Sequence, residues 1–344
     1  MNKRMQRVTN WLGMQRQSAD VIDEGYRWLL GRPADPAGMD WLCSRLQGLP
    51  IDQVREQVRA ILTSSEEFAR RHFPIGSRGR DGLCTARIGG VELLVVRNDF
   101  TEVAGTMGQY EENVLGSLLE DAATADVIVD IGANIGLIAV PVAAAQRAGG
   151  RTYCLEISQH NVKVLLENAK RNKLDNIVAF PVGASDSLET TPMQVQPRTT
   201  LNTLSRVAGD LFADRTEMVL SVPIDMIFAD GRFGAVDIVK IDTDGYEYRV
   251  LAGAREVLRK HRPIVYLEYC PQLSMSVLGV PGETILKMLG DHGYQATVLH
   301  RLKPIEPLGA LPVDEMIAKV TQLWQADIDA GMSHLDIRWH IPPK

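Results

Sequence analysis

The sequence predicts an α/β protein: a mostly parallel sheet with an antiparallel last strand, preceded by a small all-helical unit. Three observations predict it. From about residue 108, short apolar runs alternate with stretches of helical period, the pattern of a parallel sheet covered on both faces. Several of those runs end on an acidic residue (Asp130, Glu156, Asp242, Glu268), at what would be the carboxyl edge of the sheet, where open α/β sheets bind their ligands. Ahead of them, residues 18–72 show helical periodicity and no strand pattern.

In the helical unit, SADVIDEGYRWLL places Val21, Ile22, Tyr26, Leu29 and Leu30 on one stripe. GRPADPAG reads as a turn, followed by the amphipathic segments MDWLCSRL and IDQVREQVRAIL; Ser64 and Glu67 form a capping box. The run YRWLLGRPADPAGMDWL…ILTSSEEF resembles a small helical module of bacterial cell-surface and repeat-toxin proteins. It offers no evident chemistry, and docking or oligomerisation is its expected role. The chain thus divides into a helical module (1–72), a linker, FPIGSRGRDG (73–82), and a sheet domain (83–344).

LCTARIGGVELLVV predicts a hairpin turning at Gly89-Gly90. There follow a helix from Tyr110, a strand over 126–131, a helix over 135–147 and a strand over 152–156. A helix over 159–172 and a strand over 177–182 come next. A polar stretch, 187–218, reads as a loop covering the substrate side. The alternation resumes with a strand (236–242), a helix (246–260), a strand (264–269), a helix (282–292) and a strand (294–299). An insertion with a helix around 313–329 precedes the last strand, 334–341.

The net charge of −6 disfavours a general nucleic-acid binder, which needs a cationic footprint. Basic residues crowd the opening (Lys3, Arg4, Arg7) and the stretch Arg70, Arg71, Arg78, Arg80; such runs are usually solvated faces. Cys43, Cys84, Cys154 and Cys270 are far apart and form no CxxC pair, consistent with a reducing compartment. The opening lacks a signal-peptide core, and the longest apolar run, 135–145, is too short to span a bilayer. A cytoplasmic location without a membrane span is expected.

The stretch VIVDIGANIG (127–136) is a strand, a tight turn and a helix start. A dinucleotide fingerprint needs a bare glycine at its middle position, where backbone approaches pyrophosphate; here that position is Asn134. No Gly-Lys-Ser/Thr follows, which excludes a P-loop, and no Tyr-x-x-x-Lys supports an NAD-dependent oxidoreductase. The loss of those glycines matters less for a ligand without phosphates. S-adenosylmethionine (SAM) is such a ligand, and its sulfonium and amino acid head suit a carboxylate. The D-x-G-x-x-x-G form of Asp130, Gly132 and Gly136 is the one this loop takes in Rossmann-like methyltransferases. Glu156, twenty-six residues after Asp130, suits ribose hydroxyls. Gly183-Ala184-Ser185-Asp186 falls where an adenine edge would lie.

VDIVKIDTDGYEYRVLAGA (236–254) then carries a K-I-D-x-[ED]-G-x-E run followed by L-x-G-A. With Tyr110-Glu111 upstream, D-I-G-A-N-I-G at the turn and Glu268 ending IVYLEY, it resembles the FkbM family of methyltransferases over roughly 85–300. The resemblance implies the class I, Rossmann-like methyltransferase sheet, SAM as cofactor, and methylation of a hydroxyl on a small metabolite, polyketide or sugar, in natural-product or glycan biosynthesis. It implies a cofactor site of Glu111, Asp130, Gly132, Ala133, Asn134, Gly136, Glu156, Ile157, Ala184, Asp186 and Asp242. The chain departs from the family in having Asp244 where many members have glutamate, Pro141 inside a predicted helix, and the insertion 302–333.

Methyl transfer to an alcohol needs alignment and a base for the hydroxyl proton. Asp242, Asp244 and Glu268 are the candidates, with Asp242 nearest the transfer site. Asp244 and Glu247 could instead cap the following helix. The same three carboxylates could hold a divalent cation, but the later ligands of a calcium loop are missing, and no metal ligands are assigned. His261, His292 and His300 show no metal spacing, and His160 starts a helix. N- or C-methylation on the same fold, and a non-catalytic protein docking through its helical module, are the competing readings.

Overall fold

The computed structural model describes residues 18–23, 25–26, 33–51, 53–54, 57–58, 83–96, 111–195, 215–300, 304–329 and 334–342. The capping box at Ser64, the linker 73–82 and Tyr110 lie outside them. In the helical unit α1 (Pro36–Arg45) starts inside the stretch read as a turn. Asp35 accepts from Gly38 N at 2.8 Å and Pro36 takes the first helical position, a favourable pairing of cap and fixed φ. Val21, Ile22, Tyr26, Leu42, Leu46, Val54 and Val58 form a core of their own.

The hairpin of β1 (Leu83–Ile88) and β2 (Val91–Val96) turns at Gly89 and Gly90. Their φ values of 54° and 84° are those a two-residue hairpin turn demands. The main domain continues through α2 (Glu112–Ala122), β3 (Val127–Ile131), α3 (Ala139–Ala145), β4 (Arg151–Leu155), α4 (Gln159–Arg171) and β5 (Ile177–Phe180). The predicted helix from 135 begins only at Ala139, so Pro141 falls in its first turn, where a missing N–H costs nothing.

The stretch 187–218, read as a loop, is corrected at its two ends; residues 196–214 lie outside those described. Within it and beyond, β7 (Glu189–Val195) and β8 (Arg215–Val222) pair antiparallel, and β6 (Gly183–Ala184) joins β8 to make a three-stranded sheet. After α5 (Ile224–Phe228) come β9 (Ile238–Ile241) and two short helices, α6 (Glu247–Ala252) and α7 (Arg255–His261), in place of one. The break is at Gly253, where a Cβ would stand 2.0 Å from the Ser185 carbonyl oxygen; two backbones meet there. β10 (Ile264–Tyr269), α8 (Pro271–Leu278), α9 (Gly282–Gly290), β11 (Gln295–Leu299), β12 (Glu306–Pro307), α10 (Val313–Asp329) and β13 (Leu335–His340) complete the chain.

The large sheet runs β12-β11-β13-β10-β9-β3-β4-β5. β10, β9, β3, β4 and β5 are mutually parallel, while β13 inserts antiparallel between β10 and β11. The order reverses between β3 and β9, so their carboxyl ends flank the crevice in which such sheets bind ligands. Val127, Val129 and Ile131 of β3 enter one core with Val239 and Ile241; Ile128 and Ile238 enter the other. On that second face a polar row crosses the sheet, with Asp130 opposite Lys240, Lys240 opposite Tyr266, and Tyr266 opposite Arg338. Asp121 of α2 closes its far end, accepting from Tyr266 Oη at 2.6 Å and Arg338 Nε at 2.8 Å. Among the described residues no helix is long and apolar enough to cross a membrane.

Candidate active site

The turn after β3 is built from backbone the sequence singled out. Gly132 (φ 79°) and Gly136 (φ 86°) take left-handed backbone, natural for glycine. A Cβ on Gly132 would lie 1.9 Å from the Asp242 carbonyl oxygen, so the turns after β3 and β9 touch there. Asn134, where a pyrophosphate loop has glycine, also has positive φ (52°), and its Oδ1 accepts from Ile135 N at 2.8 Å. Asparagine is one of the few residues that tolerates this region. The flipped backbone aims Asn134 N at Glu156 Oε2, 2.9 Å away.

Glu156 is buried and lies just past β4. Its Oε1 accepts from Ser158 N (2.8 Å) and Asn161 Nδ2 (3.4 Å). Burial lifts its carboxyl to about 7, against the opposing hydrogen bonds from Ser158, Asn134 and Asn161. Asp130 is buried, and among the described residues neither of its oxygens has a hydrogen-bond partner. Lys240 Nζ is 3.4 Å from its Oδ1. Burial raises the Asp130 carboxyl, Lys240 opposes this, and Asp242 adds to it.

Lys240 ties this turn to the edge beyond β9, because the same Nζ is 3.0 Å from Asp242 Oδ2. Burial disfavours its charge, but Asp130, Asp242 and Glu111 outweigh that and hold it protonated. Asp242 is the most open acid of the group that ion pairs bring together, its side chain 31% exposed against 15% for Glu268 and 12% for Asp336. Burial pushes its carboxyl up; Lys240, His334 and a hydrogen bond with Glu268 outweigh this and keep it below the ordinary range. Asp244 stands in left-handed backbone (φ 51°). Burial and the charges of Asp242 and Glu247 lift it to about 7. Buried Glu247 caps the turn, its Oε1 accepting from Thr243 N (3.0 Å), Thr243 Oγ1 (3.0 Å) and Gly245 N (3.2 Å).

Glu111, Lys240, Asp242 and Glu268 line one cavity of about 10 Å³ with Asp336 and Val114, roughly the room of one water. Glu111 reaches it from the start of α2, where its φ is 45°. Among the other expected cofactor residues, Ala133 packs in a side cluster with Ala139, Cys154 and Leu165. Ile157 packs beside Met193 and Tyr246, and Ala184 is buried in β6. Asp186 is engaged by Arg249, whose Nε donates to its Oδ1 at 2.8 Å. The carboxyl is held below the usual range because Arg249 outweighs the partial burial. Among the described residues no three His, Cys, Asp or Glu side chains form a group that could hold a metal ion.

Two residues of this edge escaped the sequence reading. Asp336 is opposite Glu268 in register, and His334 has Nδ1 3.1 Å from Glu268 Oε1 and Nε2 3.5 Å from Asp336 Oδ2. Neither belongs to a recognisable motif; the only available signal was their position at the start of the strand HLDIRWHI.

A glycine turn, a buried strand-end glutamate and acids at a reversed strand order make up the kind of crevice in which open α/β sheets bind ligands. Residues 130–296 match the methyltransferase FkbM domain. The chain carries that domain. Solved structures similar to it include methyltransferase FkbM from Methylobacillus flagellatus KT (17% identity, TM-score 0.36), covering 80% of this chain and 55% of that one. Precorrin-6y C5,15-methyltransferase from Geobacter metallireducens GS-15 is 13% identical (TM-score 0.36; 67% and 88% covered). Magnesium protoporphyrin IX methyltransferase from Synechocystis PCC 6803, with bound SAM, is 12% identical (TM-score 0.39; 86% and 100% covered). No curated protein matches the chain.

Proposed function

We propose that this chain is a cytoplasmic SAM-dependent methyltransferase that O-methylates a hydroxyl on a small metabolite, polyketide or sugar. The observation that carries the reading is the pairing, across one strand reversal, of the Gly132–Gly136 turn braced by Glu156 with the Asp242–Glu268 edge. The residues present fit the cofactor. Glu156 Oε2 takes a single N–H, which leaves a lone pair for a ribose hydroxyl. The buried carboxyl of Asp130, which makes no hydrogen bond among the described residues, and the open carboxylate of Asp242 supply negative charge for a cationic head. SAM, when bound, supplies a methyl group already activated by the sulfonium.

The chain's own tasks follow. Glu156 and the turn after β3 hold and orient the nucleoside, and Lys240 keeps Asp242 ionised beside the β3 turn. Asp242 then accepts the proton that the acceptor hydroxyl must lose, since an alcohol does not ionise unaided at neutral pH. The helical unit of 1–72 is read as a docking or self-association element, which light scattering of the full chain tests. For the function itself, calorimetric titration with SAM and with NAD decides. SAM is expected to bind and NAD not, and binding of NAD alone overturns the reading.

A further inference from the structure

Five carboxylic acids from four elements crowd the edge that faces α2: Asp242 and Asp244 after β9, Glu268 of β10, Asp336 of β13 and Glu111 at the start of α2. The cationic groups facing them are Lys240 and His334. Lys240 is already shared between Asp130 and Asp242. Glu268 and Asp336 are direct cross-strand neighbours, an arrangement that is destabilising when both are charged. His334 lies one residue before β13, at the carboxyl edge of β10, and its ring stands between the two acids, Nδ1 3.1 Å from Glu268 Oε1 and Nε2 at ion-pair distance, 3.5 Å, from Asp336 Oδ2 without a hydrogen bond to it. On its other side Glu268 stands beside Asp242 at the ends of two paired parallel strands, both lining the same small cavity, and two carboxyls held that close in a buried site favour sharing one proton over ionising together.

We propose that His334 is a positioning residue of the transfer site, standing behind an Asp242–Glu268 pair that shares one proton and receiving that proton whenever Asp242 takes up another. Before uptake Asp242 is ionised, Glu268 holds the proton and the imidazole is neutral. After uptake Asp242 carries the new proton and donates it to Glu268, whose own proton has gone to Nδ1. The imidazolium then lies between Glu268 and Asp336, and one proton has been gained. The gradient of exposure agrees with that direction, from 31% at Asp242 to 15% at Glu268 and 11% at His334. Burial, with the charges of Asp242, Asp244 and Asp336, also drives the Glu268 carboxyl well above its ordinary range against the pull of His334. The inference rests on reading this edge as the site of methyl transfer, but its test does not need the acceptor.

The test is a proton titration of the full chain labelled with [13C]histidine and followed by NMR, with His334 assigned by the signal that H334Q removes. If Glu268 holds the shared proton, D242N frees it to ionise beside the ring. The His334 midpoint should then rise by about one pH unit, while E268Q should leave it within about 0.3 unit, because a neutral group replaces a neutral group. D336N should lower the midpoint by about one unit. A plain ion-pair arrangement gives the opposite result, a midpoint lowered by both D242N and E268Q, and overturns the proposal. A midpoint that ignores all three substitutions overturns it as well. Calorimetry with S-adenosylhomocysteine (SAH) on the wild type runs alongside: failure to bind sinks the methyltransferase reading, whereas binding with the wrong titration pattern sinks only the proposal. Far-UV circular dichroism confirms that each variant scored is folded.

Discussion

The turns after β3 and after β9 solve one problem with the same device and different consequences. Each runs from a parallel strand into left-handed backbone, at Gly132 and Asn134 in the first and at Asp244 and Gly245 in the second. Each is braced by a buried glutamate that accepts backbone N–H groups. The first borrows its brace from the next strand, as Glu156 reaches Asn134 N across 22 positions. The second brace is local, Glu247 accepting from Thr243 N and Gly245 N within its own turn. Under the proposed function the borrowed brace also meets the ligand, whereas the local one only holds its turn and leaves the Asp242 and Asp244 carboxyls outside the brace. The difference teaches that a carboxylate's role here is set by what else competes for its lone pairs.

The harshest way to break the comparison is to add a methyl group to each turn. G132A drives a Cβ into the Asp242 carbonyl oxygen and also meets the left-handed penalty of about 1–2 kcal/mol. SAM affinity by calorimetry is expected to fall more than about a hundredfold, roughly 2.7 kcal/mol. G245A, whose nearest backbone neighbour is at 3.1 Å, should cost only about the left-handed penalty in denaturant unfolding and spare SAM binding. Equal effects would mean the two turns are not distinct in role.

Next in size is the chemistry of the edge. D242N is expected to slow methyl transfer by about 10²-fold or more while changing SAM affinity by less than about threefold. A parallel loss of both would place Asp242 with the cofactor rather than with the proton.

Exchanging the braces gives a smaller effect. E156Q should weaken SAM by about tenfold, one charge-assisted hydrogen bond. E247Q should leave SAM affinity unchanged and lower stability by about 1–3 kcal/mol. Glu156 also predicts the direction of pH dependence. Its folded carboxyl is raised to about 7 from about 4.3 when unfolded, so the folded state binds more protons in that window. Stability from this group is therefore present at low pH and lost as pH rises through about 7. Affinity for a ribose hydroxyl should move the opposite way, rising with pH toward 8 as the carboxylate ionises. Thermal midpoints of the free protein between pH 5 and 8 check the first and SAM titrations the second; E156Q should flatten both. The smallest expected effect is that of a chelator, which should leave SAM affinity and transfer unchanged; loss of either with EDTA would make the edge a metal site.

Much of this was legible in the sequence because it is local. VIVDIGANIG could be read as strand, turn and helix start since its signals lie within ten residues, and KIDTDGYE likewise carries its own brace at Glu247. The hairpin of β7 and β8 was not legible. ETTPMQV is polar and interrupted by Pro192, and its register is set by β8 rather than by its own alternation. Pro141 could be recognised as delaying a helix, but the break at Gly253 could not, because the carbonyl that forces it belongs to Ser185.

The sequence by itself determined the class of fold, the glycine turn and the carboxylates at the strand ends, because strand periodicity and turn chemistry are short-range properties. Only the tertiary structure decided which acids face one another and what neutralises them. His334 lies 66 positions after Glu268, and the two meet because β13 inserts antiparallel beside β10. Charge is felt through space, so the protonation of Asp242 and Glu268 depends on that insertion and not on any motif the chain displays.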